Sequence, residues 1–133
     1  VGDAFAFLDP VFSSGVFFAL KSGQMAADAV HAALEKDDCS AEQFDAYGEQ
    51  MCEGVELMRK IVYAFYDESF SFGKLIRKYP DLRPDLTDCL IGNLEKHDFN
   101  ELVRAMGEFA QMPGELPHGR RSFSVAEAAL PEI

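Results

Sequence analysis

The feature that most constrains this chain is an apolar seam whose members recur alternately four and three residues apart. This spacing keeps every member on one face of an α-helix, which turns once in about 3.6 residues. The seam consists of Phe44, Gly48, Met51, Val55, Met58, Val62 and Phe65. It predicts a long helix that ends near Tyr66 and buries this face. We interpret the seam as core, and the alternative is the wall of a substrate pocket.

The start of this helix carries a signal of its own. Residues 36–39 form a polar break, and the next four residues, Ser-Ala-Glu-Gln, have the spacing of a capping box. In that motif the first side chain accepts from the fourth backbone N–H, and the fourth side chain bonds back to the first N–H. Ser40 and Gln43 are therefore predicted to cap the helix.

An earlier helix is predicted over residues 15–35. Its larger apolar residues recur at helical spacing, which predicts a face buried against a sheet or another helix. These residues are Val16, Leu20, Ala27, Val30 and Leu34. Ala19, Gly23 and Ala26 form a stripe of small side chains beside them, along which another backbone can approach closely.

Two short helices follow the long one. The first is predicted over residues 74–78 and stops because Pro80 cannot continue a helix. The second begins at Pro84 or Asp85 and stops near Gly92, a residue that favours helix ends.

The last predicted helix begins at Asp98 or Asn100 and ends before residues 113–114. Its inward positions are Leu102, Val103, Met106 and Phe109. The predicted fold class is therefore mostly α with about five helices. A helical region covers residues 36–112, and an extended tail covers residues 113–133.

Charge excludes several classes of partner. The chain carries 23 acidic and 12 basic residues, which give a formal net charge of −11. A surface of that sign repels phosphate backbones and anionic lipids, so we expect neither nucleic-acid nor membrane-surface binding. No apolar run approaches the ~20 residues of a membrane-spanning helix.

The cysteines indicate the compartment. Cys39, Cys52 and Cys89 are odd in number, lie far apart and form no C-x-x-C pair. We interpret them as reduced structural thiols in a cytoplasmic protein.

The histidines do not predict a metal site. His31, His97 and His118 have no further ligand-type residues at metal-binding spacing. His31 and Glu35 are four residues apart, which predicts a surface pair on a helix. Two basic residues in the tail, at positions 120–121, are read as a solvated tail, with an anion contact as the alternative.

The first sixteen residues have the composition of a ligand-binding loop. A Gly2-Asp3 pair is followed by a turn at Pro10, and Ser14-Gly15 then opens a helix. A helix N-terminus presents unpaired N–H groups and a partial positive charge, which favour an anion or a carbonyl oxygen. Asp3 is an acceptor suited to ribose or ribityl hydroxyls. Together they predict a nucleotide-cofactor loop, and the alternative for Asp3 is a turn or cap residue.

Val1 precedes this loop and is apolar. We interpret it as the last residue of a buried strand that lies upstream. On this interpretation, the chain is the C-terminal portion of a larger protein, and the rest of the ligand site lies outside it.

Residues 2–16 closely resemble the second FAD-binding motif of flavoprotein monooxygenases, and most closely that of the flavin-dependent, tryptophan-halogenase-like enzymes. With the helix that follows, the motif covers residues 1–35. Residues 19–23 are similar to the geranylgeranyl reductase branch of the same superfamily. The helical remainder resembles the C-terminal region of halogenase-like oxidoreductases less specifically. The resemblance implies an FAD-dependent α/β flavoprotein of which this chain supplies the helical C-terminal region.

The resemblance also implies a contact for each matching residue. The carboxylate of Asp3 would bind the ribityl chain of FAD, and Pro10 would shape the turn beneath the isoalloxazine. The amides at positions 14–16 would face the pyrimidine edge, with chloride near the first two of them in a halogenase. The implied cofactor-binding set is Gly2, Asp3, Pro10, Ser14, Gly15 and Val16.

The chain departs from the family in several places. It has no G-x-G-x-x-G fingerprint for the ADP half of FAD and no Trp. The catalytic Lys of the halogenases has no counterpart here and is expected upstream, since Lys21 lies within a helix. Phe17-Phe18 stands where many halogenases carry a His. No catalytic residue is therefore assigned, and a halogenase, a monooxygenase and a hydride-accepting reductase all remain open.

Two hypotheses of function follow. In the first, the chain belongs to an FAD-dependent oxidoreductase and supplies a flavin loop and a helical wall for an apolar or aromatic substrate. Its partner is then the N-terminal FAD-binding portion. In the second, the chain is a non-enzymatic helical module whose apolar seam binds a partner or a second copy. The apolar residues 1–12, which need covering, support this hypothesis and could carry a dimer contact.

Overall fold

The computed structural model describes residues 1–9, 14–94 and 98–116, and this part of the chain is mostly helical, as predicted. Its five α-helices are α1 (Ser14–Glu35), α2 (Asp45–Tyr66), α3 (Phe72–Lys78), α4 (Arg83–Ile91) and α5 (Asn100–Met106). Short 3-10 turns lie at Gly2–Ala4, Ala41–Phe44 and Pro80–Leu82. Within the described residues there is no strand, and no helix is long and apolar enough to cross a membrane.

The long helix α2 lies at the centre of the core. Its seam is buried from Met51 to Val62, which confirms the core interpretation for that part. The prediction that Phe65 is a core residue is wrong, because this residue is 45% exposed at the end of the helix. Ile61 and Ala64 are fully buried beside the seam, since α2 packs against both α1 and α5.

The three short helices α3, α4 and α5 complete the core around α2. They contribute small sets of buried apolar side chains rather than long faces. The residues are Leu75 of α3, Leu86 and Cys89 of α4, and Leu102, Ala105 and Met106 of α5. The last helix ends at Met106, earlier than predicted, and residues 107–110 continue as turns. Residues 113–116 are not helical, and the rest of the predicted tail lies outside the described residues.

Gly92 ends α4 as predicted, and its backbone explains why. It adopts φ +79°, a left-handed backbone conformation that residues other than glycine rarely take. Its N–H donates to the carbonyl oxygens of Asp88 and Cys89, which closes the last turn. A Cβ added here would stand 2.3 Å from the ring of Phe17, so a side chain at this position would force that ring to move.

The capping box predicted for α2 is wrong. Ser40 makes no side-chain cap bond, and a 3-10 turn over Ala41–Phe44 precedes the α-helix. The carboxylate of Asp38 bonds the two residues of the motif instead. It accepts from the backbone N–H of Ser40 at 2.9 Å and from the side-chain amide of Gln43 at 3.0 Å. These bonds, the Ser40 N–H first, lower the pKa of Asp38.

Helix α1 packs against another helix, α2, as predicted, but the larger apolar residues that define its period do not lie on the packed face. Val16, Leu20 and Leu34 are 72%, 73% and 65% exposed, and Val30 and Ala27 are exposed as well. The buried side of α1 instead carries Phe18, Ser22 and Ala33.

The aromatic side chain of Phe18 explains why this face of α1 is buried. Phe18 packs against α2 where Gly54 leaves room, since a Cβ on Gly54 would lie 3.4 Å from the Phe18 ring. A phenyl ring buries more apolar area than a Val or Leu side chain can, so this face of α1 turns inward. The apolar residues on the opposite side are left facing solvent.

Val1 does not end a strand in this structure. It is 59% exposed, and the next three residues form a 3-10 turn in which Phe5 N–H donates to the Gly2 oxygen at 2.9 Å. Without a neighbouring strand, this local turn satisfies backbone groups that a sheet would otherwise pair.

Candidate functional site

The Gly2–Asp3 turn is fastened to α1 by a buried hydroxyl. Gly2 has φ +62°, a left-handed conformation that favours glycine, and its N–H donates to Ser22 Oγ at 2.9 Å. The Ser22 hydroxyl in turn donates to the Ala19 oxygen at 3.2 Å, and its side chain is fully buried. The small side chain of Ala19 lies against Gly2, so the predicted stripe of small residues does admit another backbone.

This turn carries Asp3 to the start of α1. A Cβ added to Gly15 would stand 3.7 Å from Asp3 Oδ1, so the carboxylate lies beside the first turn of the helix. Asp3 itself is exposed. An exposed acceptor thus stands next to the unpaired N–H groups of a helix N-terminus, and this pair can hold a hydroxyl on one side and an electron-rich oxygen or anion on the other.

The predicted cofactor residues are only partly brought together. Gly2, Asp3 and Gly15 are neighbours in space. Ser14 is buried at the first position of α1, and the Val16 side chain points to solvent. Pro10 lies outside the described residues.

Two features of this loop match the chemical groups of a flavin. Asp3 has the acceptor that ribityl hydroxyls need, and Gly15 has no side chain that would keep a ring away from the helix amides. The described residues therefore fit the ribityl chain and the pyrimidine edge of FAD.

A contact that sequence reasoning missed supports the same loop from the other side. The Tyr66 hydroxyl at the end of α2 donates to Asp9 Oδ2 at 2.9 Å. This bond raises the pKa of Tyr66, since the carboxylate stabilises the protonated phenol. Fifty-seven residues separate the two partners, so no local sequence signal could have indicated the bond.

A wide groove opens beside this loop, between α1, the first half of α2 and the start of α5. Its volume of about 1410 Å³ exceeds the roughly 300–1,000 Å³ of most small-molecule pockets, so it is an open surface as it stands. Apolar residues that line it include Phe5, Phe17, Phe18, Met25, Phe44, Met51, Leu57 and Phe99. The first part of the α2 seam therefore serves both the core and the groove.

Charged residues line the groove as well. Acidic residues are frequent there and include Glu49, Glu53 and Asp98, while Lys21 and Lys60 are basic. Cys52 also lies on this wall, and its burial, followed by the charge of Glu56, raises the pKa of its thiol. A raised pKa disfavours the thiolate form of Cys52, which is the reactive form of a cysteine.

The other residues that the sequence singled out lie away from this loop. His31 and Glu35 form the predicted surface pair, with Nε2 and Oε1 3.5 Å apart. The three cysteines are free, and burial raises the pKa of the Cys89 thiol to about 12. Among the residues that the structure describes, no group of three metal-type ligands occurs. His97, His118, Arg120 and Arg121 lie outside them.

Two curated proteins are similar to this chain. Over 92 residues, 69% of the chain, it is 37% identical to the 1H-pyrrole-2-carbonyl-(peptidyl-carrier protein) brominase of Pseudoalteromonas luteoviolacea. Over 108 residues, 81% of the chain, it is 29% identical to the corresponding chlorinase of Pseudomonas fluorescens. The chain spans only 22% and 24% of the lengths of these relatives. No family model and no solved structure matches the chain.

Proposed function

We propose that this chain is part of an FAD-dependent, halogenase-like oxidoreductase and supplies that enzyme's contacts to the ribityl chain and pyrimidine edge of the flavin. One observation carries the proposal: the Asp3 carboxylate lies beside Gly15 at the start of α1, in a chain that is similar to two halogenases. The chain covers only a small share of each relative, which is consistent with its being one part of such an enzyme.

Each residue of the site has a defined role in this proposal. Asp3 accepts a hydrogen bond from a ribityl hydroxyl, and the amides of Ser14, Gly15 and Val16 donate toward the pyrimidine edge or a halide. Ser22 holds the Gly2–Asp3 turn in place through the Gly2 N–H. When bound, the flavin supplies the redox chemistry, and the chain's own residues bind and orient it.

The remainder of such an enzyme would complete the site. In this proposal, the N-terminal FAD-binding portion holds the ADP half of FAD and carries the catalytic Lys. That portion also accounts for the exposed apolar residues of α1, because a helix face that carries Val16, Leu20 and Leu34 is stabilised when another element covers it.

The relatives and the groove support a substrate class within this proposal. Both relatives are named for a pyrrole-2-carbonyl group held on a peptidyl carrier protein. The aromatic residues of the groove, among them Phe17, Phe18 and Phe99, suit a flat aromatic acyl group once the groove is narrowed by the rest of the enzyme. We infer an aromatic, carrier-bound acyl substrate.

The test uses protein expressed from its complete coding sequence. We expect the purified protein to be yellow with FAD. With reduced flavin, dioxygen, halide and carrier-bound pyrrole-2-carbonyl substrate, mass spectrometry should show a product that has gained halogen. Colourless protein that neither binds added FAD nor forms this product would contradict the proposal. Bound FAD without halogen transfer would favour the monooxygenase or reductase alternatives.

A non-enzymatic interaction module is the second candidate, and the exposed apolar face of α1 favours it. The two functions differ in the oligomeric state of the complete protein. A module that pairs through α1 gives a homodimer that dissociates when Leu20 is replaced by Glu. An enzyme that covers α1 internally keeps its oligomeric state and loses stability instead.

A further inference from the structure

A buried arginine lies in the second half of α2. Among the described residues, Arg59 is the one charged residue that is buried, with 8% of its surface exposed. Its guanidinium is paired with Glu56: Nε donates to Oε1 at 3.0 Å and Nη2 donates to Oε2 at 2.7 Å. The ring of Tyr63 has its centroid 5.7 Å from the same group. A buried ion pair adds little stability over apolar side chains of similar size, so stability alone does not account for an arginine here.

The guanidinium also holds a distant part of the backbone. Its Nη2 donates to the carbonyl oxygen of Gly114, 55 residues along the chain. A planar guanidinium has enough donors in a fixed geometry to bond a carboxylate and a carbonyl at once, which an apolar side chain cannot do. Arg59 therefore fastens the segment that follows α5 to α2.

Two further bonds fasten this segment, residues 109–116, which we call the strap. The Ser69 hydroxyl donates to the Phe109 oxygen at 2.8 Å, and the Gln111 N–H donates to Asp67 Oδ2 at 2.9 Å. As the strap advances along the chain, its successive partners move backward from the end of α2 toward its middle. The strap therefore runs antiparallel to the second half of α2.

The strap ends at the groove beside the flavin loop. Glu115 and Leu116 both line this groove, and so does Glu56, the ion-pair partner of Arg59. Leu116 is apolar and 48% exposed. The bond from Arg59 reaches Gly114, two residues before Leu116, so it helps to determine where the Leu116 side chain lies in the groove.

We propose that Leu116 limits the size of the aromatic acyl group that the groove accepts, and that Arg59 is the positioning residue that keeps Leu116 in place through Gly114. This inference rests on the proposed function, which gives the groove its acyl substrate. An aliphatic side chain on a fixed backbone limits the size of a flat ring, because a larger ring must displace the side chain or stay partly in water.

The test measures the binding of two small thioesters to protein from the complete coding sequence. The probes are the N-acetylcysteamine thioesters of pyrrole-2-carboxylate and of the larger indole-2-carboxylate. Isothermal titration calorimetry gives the Kd of each, and the ratio of the two Kd values is the selectivity. The first variant is Leu116→Ala, and its matched control is Leu90→Ala, which truncates an equally exposed leucine that does not line the groove.

The second variant is Arg59→Lys. Lysine keeps a positive charge beside Glu56, so that carboxylate stays paired, but a single ammonium does not reproduce the fork to Glu56 together with the bond to Gly114. The matched control is Arg104→Lys, the same change at an exposed arginine that does not line the groove.

We expect Leu116→Ala to shift the selectivity toward the indole thioester at least about fivefold, since one methylene in an enclosed apolar pocket changes it roughly 10- to 200-fold. Arg59→Lys should shift it in the same direction at least about threefold, and each control should change it less than about twofold. A merely structural role of Arg59 would weaken both thioesters equally and leave their ratio unchanged.

Unchanged selectivity in Leu116→Ala would overturn the proposal, and so would absence of thioester binding by the unaltered protein. Leu116→Ala truncates an exposed side chain, so it decides the proposal even if Arg59→Lys does not fold. A shift with Leu116→Ala and none with a folded Arg59→Lys would overturn the positioning role of Arg59. The FAD content of the same preparations judges the proposed function separately: protein that holds FAD but shows no shift in selectivity refutes the role of the strap alone.

Discussion

At the scale of single residues, Ser22 is the side chain on which the geometry of the loop most depends. Its hydroxyl is buried, accepts from the Gly2 N–H and donates to the helix. A sequence with a Ser inside a predicted helix gives no sign of this, because the partner lies twenty residues away. Gly2 and Asp3, by contrast, belong to a local motif, and their binding of a flavin stays a prediction.

Replacement of Ser22 by Ala should release the Gly2–Asp3 turn from α1. The lost hydrogen bond is worth about 0.5–1.5 kcal/mol, so we expect the Gly2 amide to exchange with solvent roughly two- to tenfold faster. Amide hydrogen exchange measures this directly. Thr87→Ala is the control, because it removes an exposed hydroxyl bond in α4 and should leave Gly2 unchanged. No change at Gly2 in the Ser22 variant would show that the hydroxyl does not hold the turn.

At the scale of elements, the bounds of α1 and α4 and the end of α2 followed from local signals, but the start of α2, the end of α5 and the buried face of α1 did not. The α2 seam was predicted because seven residues share one period. On α1, Phe18 takes the inward position and Val16, Leu20 and Leu34 face solvent. Periodicity shows which residues share a face, but which face is buried depends on partners that the pattern does not contain.

The contact between α1 and the end of α4 gives a prediction at this scale. Gly92→Ala places a Cβ in a left-handed conformation and against the Phe17 ring, so we expect a loss of about 2–4 kcal/mol in the free energy of unfolding. Gly48→Ala is the matched control, since nothing lies within 4 Å of its added Cβ. Inside α2 that change should be neutral or stabilise by up to about 1 kcal/mol.

Urea unfolding followed by circular dichroism measures both glycine variants. A loss at Gly92 no larger than the change at Gly48 would mean that the α4 turn and Phe17 shift freely. The account of Gly92 as a close-approach position would then be wrong.

At the scale of the whole molecule, the chain combines the proposed flavin loop with an exposed apolar face of α1. The exposed side of α1 begins at Val16, two residues after the buried Ser14 that opens the helix. An element that covered this face would therefore also lie close to the loop. Val1 forms no strand here, since strand pairing requires a neighbouring strand and the described residues contain none.

The central claim is that Asp3 binds the ribityl chain of FAD, and the affinity for FAD tests it most directly. The measurement is the Kd of FAD, by flavin fluorescence quenching, for the protein from its complete coding sequence. Asp3→Ala is compared with Asp28→Ala, which removes the same charge from an exposed position on α1.

A hydrogen bond to a charged acceptor is worth about 1.5–3 kcal/mol, so Asp3→Ala should weaken FAD binding roughly ten- to a hundredfold. Asp28→Ala should leave the Kd unchanged, and both variants should unfold at the same urea concentration as the unaltered protein. An Asp3→Ala variant that binds FAD as tightly as Asp28→Ala would contradict the account.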